Sequence, residues 1–388
     1  MSEPAASLDE IRALLAHLPG PDLEAGSAAA TRESQLTKPA GALGRIEELA
    51  GWLATWQGRH PPRLDHPRTV VFAGNHGVAA RGVSAYPAAV TAQMVQNFIA
   101  GGAAVNQLCR VIDADLRVYE MSLDTPTGDI VEGPAMTEEE CARAIAYGMM
   151  AVEPGIDALA IGEMGIANTT IAAALCVALF GGEAAEWTGP GTGVAGAALE
   201  NKRAVVAAAV ARHRPQAGDP FETLRRLGGL EFAAMAGAIL AARMGRVPVV
   251  LDGFSAGAAA AVLYAADPRA LDHCVAGHVS AEPGHRLLLE RIGQRPLLDL
   301  GMRLGEASGA TLALALLKAA AACHSGMATF ADAGISGPSA DGDIVIRRPD
   351  ADAAADAQAA AEEIIEESDR HSLDNITIRD LLDEGRRG

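Results

Sequence analysis

The feature that most constrains this chain is a unit that recurs along it: a short apolar run, a polar turn that contains glycine, and a helical stretch. Six runs have the length and hydrophobicity of buried strands, and they lie at residues 69–73, 116–121, 158–161, 248–251, 273–276 and 297–300. Strands that alternate with helices form parallel sheets, and such sheets bind ligands at the turns after their strands. The sequence therefore predicts an α/β fold with its functional residues in these turns.

The last unit, residues 297–310, combines a strand, a glycine-rich turn and a helix that we expect to run over residues 306–322. The turn contains Arg303 and Glu306. Glycine lets a backbone approach a ligand closely, and a carboxylate beside a ligand can accept its proton. A glutamate in a first helical turn is also a common stabilising residue, whose pKa the helix dipole lowers. This pattern alone leaves both interpretations of Glu306 open.

Charge and composition exclude some classes of partner. The 388 residues include 49 Asp and Glu against 31 Lys and Arg, which gives a net charge of −18. A strongly acidic surface argues against nucleic acid or an anionic membrane as the main partner, although a local basic pocket for a phosphate remains compatible. Aromatic residues make up only 4% of the chain, so small apolar residues supply much of the core and helices can pack close to the sheet.

The cysteines and the N-terminal residues indicate the cellular compartment in which the protein is expected. The five cysteines are scattered, odd in number and without a CxxC pair, which is typical of reduced thiols in a cytoplasmic protein. The first residues lack the basic segment and apolar core of a signal peptide, and we expect no membrane-spanning segment.

Both ends of the chain differ from the repeating middle. Residues 1–60 read as helical, with Ser7 as a helix cap, and prolines at 61, 62 and 67 mark a linker. Residues 337–388 form an acid-rich tail that either packs as a helix on the N-terminal helices or stays solvated. We therefore expect an N-terminal helical part at 1–60, an α/β domain at 61–336 and an acidic tail.

Other turns contain candidate anion ligands. The turn after residues 158–161 contains Glu163 and continues into Asn168 and Thr169 at a helix start, where backbone N–H groups bind phosphate, although such residues are also ordinary caps. The glycine-rich loop at residues 189–193, with Lys202 following, suits a phosphate or a carboxylate. His76, after the first strand, is as consistent with a loop hydrogen bond as with a ligand contact.

Several familiar sites are not supported. Neither a Walker loop nor a dinucleotide fingerprint is present. His278 and His285 lack a convincing third ligand, so we predict no metal site. The GFSAG segment at residues 253–257 follows a strand as a hydrolase elbow would, but no acid and histidine follow in the order of that class.

Eight segments together resemble the nicotinate-nucleotide–dimethylbenzimidazole phosphoribosyltransferase family of cobalamin synthesis. In chain order they are KPAGALGRIEEL, AGNHGVAARGVSAYP, GEMGIANTT, GPGTG, DGFSAGAAA, GHVSAEPGH, DLGMRLGEASGA and MATFADAGIS, and they span residues 38–336. Each is modest alone, but eight in the family's order are highly specific. The resemblance implies a Rossmann-like parallel sheet flanked by helices, a small helical domain made from both chain ends, and a homodimer.

The resemblance also implies an activity and a set of site residues. The family transfers phosphoribose from nicotinate mononucleotide to 5,6-dimethylbenzimidazole, giving α-ribazole 5′-phosphate and nicotinate, and no cofactor or metal is expected. By resemblance Glu306 is the general base and Glu163 is a second carboxylate near the reacting centre. The residues that match the pocket for the acceptor base are Ser84, Gln93 and Leu304. Those that match the nucleotide and phosphate side are Gly165, Asn168, Thr169, Gly191, Thr192, Gly193, Lys202 and Ser280.

The sequence departs from the family pattern at a few positions, so base preference stays open. Ala167 stands in place of a usual glycine, Asn75 in place of a common aspartate, and Ala40 and Ala42 in a motif that is usually KPPGSLGRLE. Three alternatives are an enzyme that prefers another acceptor such as adenine or a phenol, a non-catalytic nucleotide-binding relative, and a magnesium-dependent transferase that uses phosphoribosyl pyrophosphate. The presence of both glutamates argues against the second, and the third lacks its usual acidic pair.

Overall fold

The computed structural model describes residues 7–214 and 218–337, and within them the chain forms a five-stranded parallel sheet. The strands are β1 (Pro67–Ala73), β2 (Asp115–Glu120), β3 (Ala158–Met164), β4 (Val249–Leu251) and β5 (Cys274–Ala276). Their order across the sheet is β2-β1-β3-β4-β5, and every neighbouring pair is parallel. The predicted α/β fold with a parallel sheet is confirmed.

Helices cover both faces of the sheet. They are α1 (Leu8–Leu15), α2 (Leu23–Glu33), α3 (Arg45–Gln57), α4 (Ala89–Ala100), α5 (Ala104–Ile112), α6 (Glu138–Met149), α7 (Asn168–Phe180), α8 (Ala184–Trp187), α9 (Ala197–His213), α10 (Pro220–Leu227), α11 (Leu230–Met244), α12 (Phe254–Ala266), α13 (Pro283–Arg291) and α14 (Ser308–Gly326). Alternate residues of a strand point to opposite faces, so each strand contributes to two cores. Val70 and Phe72 join the core with α6, α7, α11 and α12, whereas Ala158 and Ala160 of β3 face α3 and α14.

The predicted sixth strand at residues 297–300 is wrong. The segment makes an isolated bridge between Leu298 and His278. Its first N–H groups pair with the end of β5, since Leu297 donates to the Ala276 carbonyl at 2.9 Å and Leu298 donates to the Gly277 carbonyl at 3.1 Å. Because β5 ends at Ala276, the segment runs past the sheet and has no further length of strand to pair with.

The N-terminal part of the chain forms helices, as the sequence predicts. Ser7 caps α1, with its side chain accepting a hydrogen bond from the Glu10 N–H. The chain divides into two compact units, Met1–Met327 and Ala328–Gly388. In the described start of the second unit, the Thr329 N–H donates to Asp332 Oδ2 and the Asp332 N–H donates to Thr329 Oγ1. The structure describes no residue of the predicted acidic tail beyond residue 337. The division of the chain into three parts therefore stays a prediction.

One glycine brings the segment before α14 onto the sheet. A Cβ on Gly162 of β3 would lie 2.3 Å from the backbone nitrogen of Ala307, so only glycine permits this approach. The Glu306 N–H donates to the carbonyl of Glu163 at 3.1 Å. The loop before α14 is thereby fixed across the carboxyl end of β3. Over the described residues, we find no helix with the length and apolarity needed to cross a membrane.

Candidate active site

A cleft of about 640 Å³ lies over the carboxyl edge of the sheet. It is formed by the α4–α5 region, the turn after β3, the loop before α9, the start of α12, the turn after β5 and the loop before α14. The polar and charged residues that line it are Tyr86, Asn97, Glu163, Asn168, Thr169, Thr192, Ser255, His278, Ser280, Glu282, Arg303 and Glu306. The carboxyl edge is the expected place for a ligand in a parallel α/β sheet.

Glu306 lies in the cleft wall and outside the helix that the sequence predicted for it. Helix α14 begins at Ser308, and both Glu306 (φ 62°) and Ala307 (φ 58°) adopt the left-handed conformation. Each such non-glycine residue costs roughly 1–2 kcal/mol, and this kind of strain is concentrated at functional sites. The interpretation of Glu306 as a residue of the first helical turn is therefore wrong.

The carboxyl group of Glu306 is buried, and its pKa is raised. Only 6% of the residue is exposed. Burial, with a smaller contribution from the charge of Asp252, raises the pKa of Glu306 to about 7. A base is most effective when its pKa lies near the working pH, so this glutamate can both accept and release a proton near neutrality.

Glu163 is the second carboxyl group at the same place. It lies in β3 near its carboxyl end, and its Oε2 accepts a hydrogen bond from Asn168 Nδ2. A Cβ on Gly305 (φ 80°) would lie 3.0 Å from Glu163 Oε1, so the loop before α14 crosses directly over this carboxyl group. Burial, followed by the charges of Glu231 and Asp252, raises the pKa of Glu163 well above its usual value. A cation that bound beside it would favour its ionised form.

The side of the cleft that the sequence predicts to hold the nucleotide combines the start of α7 with the loop before α9. Thr169 lies in the first turn of α7, where backbone N–H groups lack helical partners and attract anions. Thr169 Oγ1 accepts a hydrogen bond from Lys202 Nζ at 2.7 Å, and the same ammonium donates to the Gly189 carbonyl at 3.0 Å. Lys202 is 1% exposed, and burial lowers its pKa to about 8. Its ammonium therefore supports the loop and Thr169 from behind the cleft wall.

The structure brings most of the predicted site residues together. Those that line the cleft are Glu163, Gly165, Asn168, Thr169, Gly191, Thr192, Ser280, Leu304 and Glu306. Ser84 lies beside them, with its Oγ 2.9 Å from Thr192 Oγ1. Gln93 and Gly193 are exposed and, like Lys202, are outside the set that forms the cleft wall. The binding and catalytic roles assigned to all of these residues stay predictions.

The two family departures nearest the site have definite structural positions. Ala167 precedes α7 in the left-handed conformation (φ 79°), which favours glycine, so the alanine costs roughly 1–2 kcal/mol there. Asn75 donates from Nδ2 to the Leu123 carbonyl at 3.0 Å and so ties the turn after β1 to the turn after β2. Neither departure removes a carboxyl group from the cleft.

Sequence reasoning missed a buried contact between a histidine and a carboxyl group beneath the turn after β3. His76 Nε2 lies 2.6 Å from Glu231 Oε1, and both side chains are fully buried. Three glycines enclose the pair, because a Cβ on Gly74, Gly165 or Gly229 would come within 3.3 Å of one or both side chains. Glu231 lies in the first turn of α11, which follows a Gly-Gly pair and not an apolar strand. The pattern of strands and turns therefore did not indicate Glu231 as a residue near the site.

Glu282 was also missed, although the sequence contains it in the turn after β5. Its Oε1 accepts a hydrogen bond from the Gly191 N–H at 2.8 Å, so this buried carboxyl group holds the loop before α9 in place. Burial is the main cause that raises its pKa. A GPGTG loop that binds one carboxyl group through its own backbone has the polarity needed to bind an anionic ligand as well.

Fold and cleft together define a class of protein. A parallel α/β sheet whose carboxyl edge carries an anion-binding helix start and two adjacent glutamates, one with a pKa near neutrality, is an arrangement for group transfer on a phosphorylated small molecule.

Comparisons with known proteins narrow this class. A family model described as phosphoribosyltransferase matches residues 18–335. Nicotinate-nucleotide–dimethylbenzimidazole phosphoribosyltransferases from Brucella anthropi and Sinorhizobium medicae are each 60% identical to this chain, over 87% of it and 99% of their own length. The crystal structure of CobT from Thermus thermophilus is 45% identical and covers 81% of this chain and 99% of its own, with a TM-score of 0.77. The chain therefore belongs to this phosphoribosyltransferase family and is an enzyme of that type.

Proposed function

We propose that this enzyme transfers phosphoribose from nicotinate mononucleotide to 5,6-dimethylbenzimidazole in cobalamin synthesis. The observation that carries the proposal is the position of Glu306, buried in the cleft beside Glu163 with a pKa of about 7. The names of the relatives supply the substrates, and the cleft supplies a base of suitable strength for this acceptor.

Proton transfer by Glu306 fits the chemistry of the acceptor. One ring nitrogen of neutral dimethylbenzimidazole forms a bond to C1′ of the ribose while the bond from C1′ to the pyridinium nitrogen breaks, and its electron pair leaves with nicotinate. The departing ring was already cationic, so it requires no proton. The other nitrogen of the acceptor becomes acidic as the new bond forms, and Glu306 accepts its proton.

Glu163 has a separate electrostatic role in this proposal. Breaking the bond at C1′ builds positive charge on the ribose, which a nearby carboxylate stabilises. The raised pKa of Glu163 disfavours that carboxylate in the free protein, but the pyridinium of the bound nucleotide would favour its ionised form. Binding of the cationic substrate thus favours the negative charge on Glu163 that stabilises the transition state.

The remaining assignments place the two substrates. The backbone N–H groups of Thr169 and Thr192 bind the phosphate, with Lys202 supporting Thr169 and with Gly191 and Gly193 shaping the loop. Gly165, Asn168 and Ser280 complete this side. Ser84, Gln93 and Leu304 contact the acceptor base. Homodimeric assembly and a cytoplasmic location are further predictions of the same proposal.

Product formation tests the function directly. The enzyme is incubated with nicotinate mononucleotide and dimethylbenzimidazole in the presence of a chelator, and nicotinate and α-ribazole 5′-phosphate are quantified. We expect both products in equal amounts, with chelator making no difference. A parallel reaction with phosphoribosyl pyrophosphate and magnesium should give neither. Turnover that needs magnesium, or no turnover with nicotinate mononucleotide, would contradict the proposal, and adenine in place of the acceptor measures base preference.

A further inference from the structure

Arg303 lies in the loop before α14, three residues ahead of Glu306, and its side chain reaches across the cleft. Its Nη1 donates to the carbonyl of Gly191 at 2.9 Å. One edge of the guanidinium is therefore fixed on the loop before α9, while the residue remains exposed and lines the cleft. A guanidinium has five N–H donors, so this contact leaves others for a ligand.

Arg303 is a positively charged residue in a cleft whose other charged lining residues are acidic. Among the described residues that line the cleft, Glu163, Glu282 and Glu306 are acidic, and Arg303 is the one lysine or arginine. The ammonium of Lys202 is buried behind Thr169 and is already hydrogen bonded. A ligand with two anionic groups would enter a cleft whose wall carries one guanidinium.

Nicotinate mononucleotide has two such groups, the 5′-phosphate and the carboxylate on the pyridine ring. The first turn of α7 and the loop before α9 offer the backbone N–H groups of Thr169 and Thr192 for the phosphate. The pyridine ring must lie where the bond at C1′ breaks, beside Glu163 and Glu306. Arg303 belongs to the same loop as Glu306, and a planar guanidinium matches a carboxylate with two parallel hydrogen bonds.

We propose that Arg303 binds the carboxylate of the nicotinate ring and thereby selects nicotinate mononucleotide over nicotinamide mononucleotide. This inference rests on the proposed function and adds a specificity residue to it. The carboxylate is unchanged by the reaction, so the contact stabilises bound substrate and transition state alike and its loss raises KM more than it lowers kcat.

Two nucleotides and two variants test the inference. Arg303→Gln removes the charge and shortens the side chain. Arg286→Gln, at an exposed arginine of α13 that is paired with Asp299, makes the same change elsewhere and is the matched control. We expect Arg303→Gln to lower kcat/KM for nicotinate mononucleotide about 10- to 100-fold, the range for a hydrogen bond to a charged group. Turnover of nicotinamide mononucleotide should be nearly unchanged, and the Arg286→Gln protein should resemble the native enzyme with both.

Other results would overturn the inference. Equal losses with both nucleotides would place Arg303 on the phosphate or in loop structure, and no loss would remove it from substrate recognition. Calorimetric binding of free nicotinate and free nicotinamide separates this inference from the proposed function, since it needs no turnover. Native enzyme should bind nicotinate more tightly, and Arg303→Gln should remove that preference; an unchanged preference would contradict the role of Arg303 even if transfer to dimethylbenzimidazole were absent.

Discussion

Glu306→Gln is expected to lower kcat by about 10²- to 10⁴-fold, the usual contribution of a positioned general base, and to leave KM for nicotinate mononucleotide within a few-fold. Glutamine keeps the size and the hydrogen bonding of the side chain but cannot accept a proton at this position. Steady-state kinetics with dimethylbenzimidazole as acceptor measure the effect. Equal kcat in the variant would leave Glu306 as a buried structural residue.

Protein stability provides the control for that experiment. The folded pKa of Glu306, about 7, lies above its unfolded value, so the stability it contributes is fully present at acid pH and is lost as pH rises through about 7. A neutral glutamine avoids this loss, so the variant should melt at the same temperature as the native protein or higher in mildly alkaline buffer. Glu290→Gln, on the exposed surface of α13, should leave both kcat and melting unchanged.

His76→Leu or Glu231→Leu is expected to lower the free energy of unfolding by about 1–3 kcal/mol, because either change leaves a buried polar group without its partner. The two atoms of the pair are 2.6 Å apart, and neither side chain is exposed. Leucine has a volume similar to both residues, so loss of the partner rather than an empty cavity dominates the effect. Urea unfolding of each single variant measures it.

The double variant separates pairing from packing. With both residues replaced by leucine, no buried polar group is left without its partner, so the combined loss should be clearly smaller than the sum of the two single losses. Strictly additive losses would show that the two side chains act independently and would contradict the pair. The enclosing glycines limit the room for repacking, so some loss should remain in the double variant.

The parallel sheet was predictable from the sequence, because it depends on local patterns, whereas the gathering of Glu163 and Glu306 at one place was implied by the family resemblance. Apolar runs followed by polar turns locate strands, and the carboxyl ends of parallel strands meet at one edge. The residues at the end of β3 follow this rule, whereas the segment before α14 reaches the same cleft without a strand of its own.

The start of α14 was not predictable, because tertiary contact overrides local preference there. Glutamate and alanine both favour helix, so the sequence places Glu306 inside one. In the structure Ala307 is fully buried against Gly162, and the backbone of both residues is left-handed. This packing holds Glu306 in the cleft wall, where burial raises its pKa.

Long-range pairing was also hidden from the sequence. His76 and Glu231 are separated by 155 positions, and neither local segment indicates the other. The burial of Lys202 is similar, since a lysine after a glycine-rich loop suggests an exposed phosphate ligand, whereas Thr169 and the Gly189 carbonyl occupy its ammonium. Such contacts depend on how whole elements pack.

The central claim is that the buried Glu306 is the catalytic base, and the pH dependence of kcat/KM for nicotinate mononucleotide tests it most directly. This quantity reports the pKa values of the free enzyme. Because the base must be ionised and burial raises its pKa to about 7, kcat/KM should fall as pH decreases through about 7, where an ordinary glutamate would give no change. The midpoint should stay in place when unsubstituted benzimidazole replaces dimethylbenzimidazole, and it should vanish from the residual activity of Glu306→Gln. A kcat/KM that is flat across this range, or a midpoint that follows the acceptor and persists in the variant, would contradict the claim.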